Sequence, residues 1–117
     1  MRGSYTLKAN TEDYLRELKL LAHHLQEEHG QALRELKSPI LLTVELPNGQ
    51  MEHFLISQEG INHTPKPLQV EDRIVLNYKD LIRVIEKPSR LLRYILEGRV
   101  KIYGNYKRDL SAIEKVF

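Results

Sequence analysis

The sequence predicts an α+β fold, and three observations carry that prediction. Apolar residues recur at helical spacing from Leu15 to Leu36, alternate from Ile40 to Tyr78, and return to helical spacing from Leu81 onward. Turn-forming residues stand where the period changes, at Ser38-Pro39, Pro47-Asn48-Gly49, Gly98 and Gly104. Helices at both ends of a run of turn-linked strands make a mostly antiparallel sheet of about five strands, covered by helices.

The N-terminal helix begins near Asn10 or Thr11, a plausible cap, with Glu12 and Asp13 where the helix dipole favours negative charge. Leu15, Leu18, Ala22 and Leu25 form its stripe, edged by Leu21; Ala32, Leu33 and Leu36 resume it after an interruption at Gly30. Residues 11–37 are thus one helical region that ends before Pro39, and residues 1–10 are expected to be disordered. Leu42, Val44 and Leu46 alternate with Leu41, Thr43 and Glu45 in a first strand, and Pro47-Asn48-Gly49 turns the chain into a second at Met51–Ser57. A short extended piece at Ile61–Thr64 follows the reversal Glu59-Gly60. Pro65-Lys66-Pro67 keeps the next link unhelical, and Arg73–Tyr78 is a strand.

Asn77 and Asp80 have the spacing of a capping box ahead of a short helix bearing Leu81, Ile82, Val84 and Ile85. Pro88 stops that helix and opens the next, whose apolar face is Leu91, Leu92, Ile95 and Leu96. Gly98 suits a left-handed C-terminal position. In the strand that follows, Val100 and Ile102 point one way, and Arg99, Lys101 and Tyr103 the other. Tyr106, Leu110, Ile113 and Phe117 make the stripe of a closing helix.

The totals bound the function. A chain of 117 residues fits one domain. Area scaling gives roughly 6,600 Å² of folded surface against roughly 20,000 Å² unfolded, enough burial for a core without staples. The absence of cysteine removes thiol catalysis, Cys-based zinc sites and disulfides, and suits a cytoplasmic protein. Met1-Arg2-Gly3-Ser4 is followed by no apolar signal segment, and no run is long enough to cross a bilayer. Residues 1–78 hold 8 Lys/Arg against 11 Asp/Glu, whereas residues 79–117 hold 10 against 5. That basic end is either a solvated face or a contact for phosphate, on nucleic acid or on an anionic membrane.

Catalytic and metal-binding patterns are absent from the sequence. His23 and Glu27, like His24 and Glu28, are four apart and can pair on a helix, but the two pairs are offset by about 100° and do not make a His-Glu-x-x-His set. His53 and His63 have no serine or cysteine at a recognisable spacing, and Gly98 and Gly104 do not form a phosphate loop. No catalytic residue, metal or cofactor is expected, and the chain is not expected to be an enzyme. Lys101, Tyr103, Tyr106, Lys107 and Arg108 interleave bases with aromatics as single-strand binders do, but Tyr106 falls in the closing apolar stripe, so nucleic acid is the lesser expectation.

From Arg73 to Phe117 the chain resembles the sterol carrier protein type 2 family. The resemblance lies in a strand (Arg73–Tyr78), two short helices (Asp80–Glu86 and Ser89–Glu97), a strand between glycines (Gly98–Gly104) and a closing helix. The hairpin at Pro47-Asn48-Gly49 extends it to residues 38–117. It implies a single lipid-binding domain over 1–117, non-catalytic, that carries a fatty acyl chain, acyl-CoA, isoprenoid or sterol-like ligand in a hydrophobic tunnel.

The candidate lipid-binding residues are Phe54, Ile56, Ile74, Leu76, Leu81, Ile85, Leu92, Ile95, Leu96, Val100 and Ile102, with Leu42 and Val44 beside them. Each is equally what an ordinary core would use. Leu91, Leu92 and Ile95 stand where relatives carry small residues, and are expected to narrow the cavity. Tyr94, Tyr103 and Tyr106 are candidates to rim its mouth. Arg83, Lys87, Arg90, Arg93 and Arg99 would favour contact with an anionic membrane. The resemblance also allows an accessory protein of lipid or isoprenoid-quinone metabolism with a filled core, and the N-terminal helix would then be a partner or homodimer surface.

Overall fold

The structure, a computed structural model, describes residues 11–117. Asn10 and the segment 1–10 lie outside the described residues. Helix α1 (Thr11–Glu28) stops at His29, and α2 (Gly30–Arg34) continues the stripe after that break. The strands are β1 (Ile40–Glu45), β2 (Met51–Ser57), β3 (Gly60–Thr64) and β4 (Asp72–Asn77); then come α3 (Tyr78–Glu86), α4 (Arg90–Leu96), β5 (Lys101–Tyr103) and α5 (Tyr106–Val116).

The five strands form one sheet in the order β3-β2-β1-β4-β5. All neighbours are antiparallel except β1 and β4, which run parallel. The register puts Ile40 opposite Ile56, Leu42 opposite Phe54 and Ile74, Val44 opposite Leu76, and Ile74 opposite Ile102. Partners in register share a face, so one apolar face is assembled from four strands. Leu18, Ala22 and Leu25 of α1 and Leu81 and Val84 of α3 pack with these strands in one buried core. Burying each of these leucine and valine side chains contributes about 1.5–3 kcal/mol.

Local caps fix where the helices begin and end. Asn77 Oδ1 accepts the Asp80 N–H at 2.8 Å, and Asn105 Oδ1 accepts the Arg108 N–H at 3.1 Å, so α3 and α5 each start on an asparagine cap. At the end of α4 the Arg99 N–H reaches the Tyr94 carbonyl at 2.8 Å and the Gly98 N–H reaches the Ile95 carbonyl at 3.0 Å. That double bond closes a Schellman turn and needs the left-handed φ of +79° that Gly98 adopts. Chain direction from α4 into β5 is set there.

A buried polar knot ties β4 to α5. Asp72, 1% exposed, accepts from Ser38 Oγ (2.9 Å), the Asn105 N–H (3.2 Å) and Arg108 Nη2 (2.6 Å). Burial pushes its carboxyl up, and the bonds from Ser38, Arg108 and Asn105 outweigh that and hold it below the ordinary range. Asp109 faces the same knot from α5. Burial and the neighbouring Asp72 carboxyl push it up to about 6.

Candidate functional site

The inner face of the sheet, together with α1, encloses the candidate site. Leu18, Leu21, Ala22 and Leu25 descend from α1 onto Leu42 and Val44 of β1, Phe54 and Ile56 of β2, and Ile61 of β3. Leu81 and Ile85 of α3 and Phe117 complete the lining. Every one of these twelve residues is apolar, so nothing in the lining could stabilise charge or transfer a proton. The free volume is about 20 Å³, room for one water and not for an acyl chain. The groove is closed in this conformation, not an open tunnel.

A side-chain contact holds α1 in place over β3. Gln26 Oε1 accepts the Ile61 N–H at 2.9 Å, and its amide lies where a Cβ on Gly60 would stand, so a side chain at position 60 would push it aside. At the other end of the groove Tyr14 meets Tyr78 edge to face, with ring centroids 5.0 Å apart. Beside Phe54 on the same face, Glu52 Oε1 and His63 Nε2 pair at 2.8 Å, and the His63 ring lies 5.2 Å from that of Phe54. A half-buried histidine–carboxylate contact thus adjoins the apolar lining at that end.

Four of the eleven residues expected to bind lipid line this groove: Phe54, Ile56, Leu81 and Ile85. Ile74, Leu76 and Val100 are buried in the core away from it, and Ile95 and Ile102 pack half-buried against that core. Leu92 and Leu96 do not face inward at all. They are 49% and 78% exposed, because α4 buries Leu91 and Tyr94 and one helical turn cannot point neighbouring residues the same way. Tyr94, expected at a mouth, is buried instead, and Tyr103 lies on the outer sheet face, where Arg73 stacks on its ring at 5.0 Å. Tyr106, expected in the closing stripe, is 41% exposed.

The expected narrowing by Leu91, Leu92 and Ile95 does not occur there; the groove is filled by α1. Its four α1 residues were legible as a helical stripe, but what they cover depends on tertiary placement. Phe117 ends the stripe of α5 and is a groove residue for the same reason. His53 and His63 find other partners: Thr43 Oγ1 lies 2.9 Å from His53 Nδ1 on the outer face. Burial lowers the pKa of His53, which favours the neutral ring. His23 and His24 pair with Glu27 and Glu28 at 3.5 and 3.3 Å on the exposed side of α1.

No protein-family model and no curated protein sequence matches the chain. Solved structures do. The apo form of sterol carrier protein 2 from Yarrowia lipolytica aligns over 95% of this chain and 94% of its own, at 15% identity and a TM-score of 0.66. Palmitated SCP2L2 from Aedes aegypti aligns over 92% and 95%, at 11% identity and a TM-score of 0.60. A UbiJ-SCP2 ubiquinone synthesis protein aligns over 86% and 99%, at 11% identity and a TM-score of 0.51. Among the described residues no helix is long and apolar enough to cross a membrane. With its five-stranded sheet, its order of elements and its closing α5, the chain has the sterol carrier protein 2 fold.

Proposed function

We propose that residues 11–117 act as one domain that binds an apolar lipid non-covalently in the groove between α1 and the sheet, and carries it without chemical change. The observation that supports this most is the lining itself: twelve apolar residues from α1, three strands, α3 and the C-terminus converge on one space with no polar group among them. Among similar folds, one solved structure is of a palmitated protein. Because the space holds about 20 Å³, uptake requires α1 to move outward, so that Leu18, Ala22 and Leu25 pack on the ligand instead of on the sheet. Each buried methylene contributes about 0.8 kcal/mol, so a chain of about a dozen offsets the packing that α1 gives up. An acyl or isoprenoid chain fits this slot better than a rigid sterol.

Titrating the delipidated protein with a fluorescent fatty acid tests the reading. Saturable binding is expected, with native mass spectrometry of cell-derived protein showing a co-purified lipid. Absence of both sinks it.

The filled groove favours a second reading, an accessory or assembly protein of lipid or quinone metabolism, and the similarity to a ubiquinone synthesis protein points the same way. A clean dimer or hetero-complex without lipid would support that reading over carriage.

A further inference from the structure

The α3–α4 face carries a feature that the groove does not explain. Leu92 and Leu96, four residues apart on one side of α4, are 49% and 78% exposed. Around them, residues 79–101 hold seven Lys/Arg against three Asp/Glu, a net +4 on a chain whose total is +2. One of the three acids, Asp80, is buried.

The arginines are gathered on a single phenol. Tyr94 is 2% exposed, and the guanidinium carbons of Arg93 and Arg99 lie 5.3 and 5.1 Å from its ring centroid. Burial raises the pKa of this phenol, and the nearby Arg83 and Arg93 outweigh it and hold the value below the ordinary one. Arg90 Nη1 donates to the Arg83 carbonyl at 3.2 Å. Four guanidinium groups are thereby held close together at the surface. Glu86 and Glu97 answer Arg90, Arg93 and Arg99 at 3.7, 3.7 and 3.1 Å, and Asp80 lies 3.4 Å from Arg99. Among the described residues no carboxylate lies within ion-pair distance of Arg83 or Lys87.

We propose that this face docks on an anionic lipid bilayer, with Leu92 and Leu96 entering the interfacial layer and the arginines around Tyr94 meeting headgroup phosphates. Nucleic acid would satisfy the arginines but leave both leucines in water. A bilayer interface offers phosphate and hydrocarbon within about 5–10 Å of each other, the spacing at which an amphipathic helix lies. Docking concerns the outside of the molecule and does not require a ligand inside. It has a topological consequence for carriage all the same, since Ile85 places α3 between this face and the groove.

Co-sedimentation with phosphatidylcholine vesicles, with and without phosphatidylserine, tests the proposal. Binding is expected to the phosphatidylserine vesicles and to weaken as salt is raised. Replacing both Leu92→Ser and Leu96→Ser, which touches no core contact, should lower the partition coefficient about tenfold or more with an unchanged circular dichroism spectrum. Replacing Arg83→Gln and Lys87→Gln should lower it about thirtyfold, at about fivefold per charge. Three results would each overturn the docking surface: equal binding to both vesicle types, full binding by the leucine variant, or tighter retention on single-stranded DNA than on vesicles. Uptake of soluble fluorescent fatty acid, read on the same samples, reports the groove separately.

Discussion

Phe54→Ala is the most direct probe of the groove. Phe54 is 2% exposed and forms its floor beside Leu42 and Ile56. Truncating a buried phenylalanine costs about 3–5 kcal/mol. At about 2.1 cal/mol/K of unfolding entropy per residue over 117 residues, Tm falls by about 12–20 °C. The void left is of the size, about 150 Å³, that admits a benzene ring in other engineered cores. A medium-chain alcohol such as decanol should then enter with a smaller displacement of α1 than the wild type needs. At a hundredfold excess over Kd it returns about 2.7 kcal/mol, or about 11 °C of Tm, whereas the wild type gains less because it must still open. Differential scanning calorimetry with and without decanol reads both numbers. The milder Ile85→Ala, at a half-buried lining position, should show the same pattern with roughly half the loss. If decanol stabilises neither variant more than the wild type, the groove is an ordinary core and the carriage argument fails.

Two further perturbations test the frame that holds the groove together. Gly98 and Gly104 both have positive φ, yet only open space surrounds a Cβ placed on Gly98, whereas one on Gly104 would run into the Asp72 carboxylate. Urea unfolding should therefore show Gly98→Ala costing about 1 kcal/mol and Gly104→Ala well over about 3 kcal/mol; equal costs would mean the Asp72 knot is not where the structure has it. Asp109 has its folded pKa raised to about 6, chiefly by burial and by Asp72. The folded state thus holds a proton that the unfolded state releases, and the stabilisation is complete below the ordinary value of 3.8 and lost as pH rises through about 6. Asp109→Asn offers Asp72 an uncharged N–H and removes the titration. It should be the more stable protein at neutral pH, by up to about 3 kcal/mol, with a flatter profile between about pH 4 and pH 7; superimposable profiles would refute the assignment.

The elements were legible because each is dictated locally. The change of period at Ser38-Pro39, the hairpin at Pro47-Asn48-Gly49, and the cap at Asn77 act over a few residues, and the structure places them within one or two positions of expectation. The groove was less legible because it is a tertiary object. Phe54, Ile56, Leu81 and Ile85 follow from the inner face of the sheet, but nothing local tells that Gln26 bonds the Ile61 N–H and so fixes α1 over β3. Likewise, the parallel pairing of β1 with β4 joins segments some thirty residues apart. Helix α4 misled for another reason: Leu91, Leu92, Ile95 and Leu96 offer two overlapping apolar sides, and a seven-residue helix can bury one of them.

Which side was buried follows from what surrounds α4. Tyr94 is the largest fully buried side chain among the described residues, and the guanidinium groups of Arg93 and Arg99 lie over its ring. Seating Tyr94 inward draws Arg83, Arg93 and Arg99 around it and carries Leu91 into the core on the same turn. Leu92 and Leu96, rotated away, are left to solvent among the arginines that Tyr94 has collected. The Schellman turn at Gly98 then locks this rotation, since its two hydrogen bonds end on the carbonyls of Tyr94 and Ile95. Turning all four apolar residues of α4 toward one cavity would leave Tyr94 exposed. The charged collar and the exposed leucines are therefore consequences of one packing choice, and the groove is left to be closed by α1 instead.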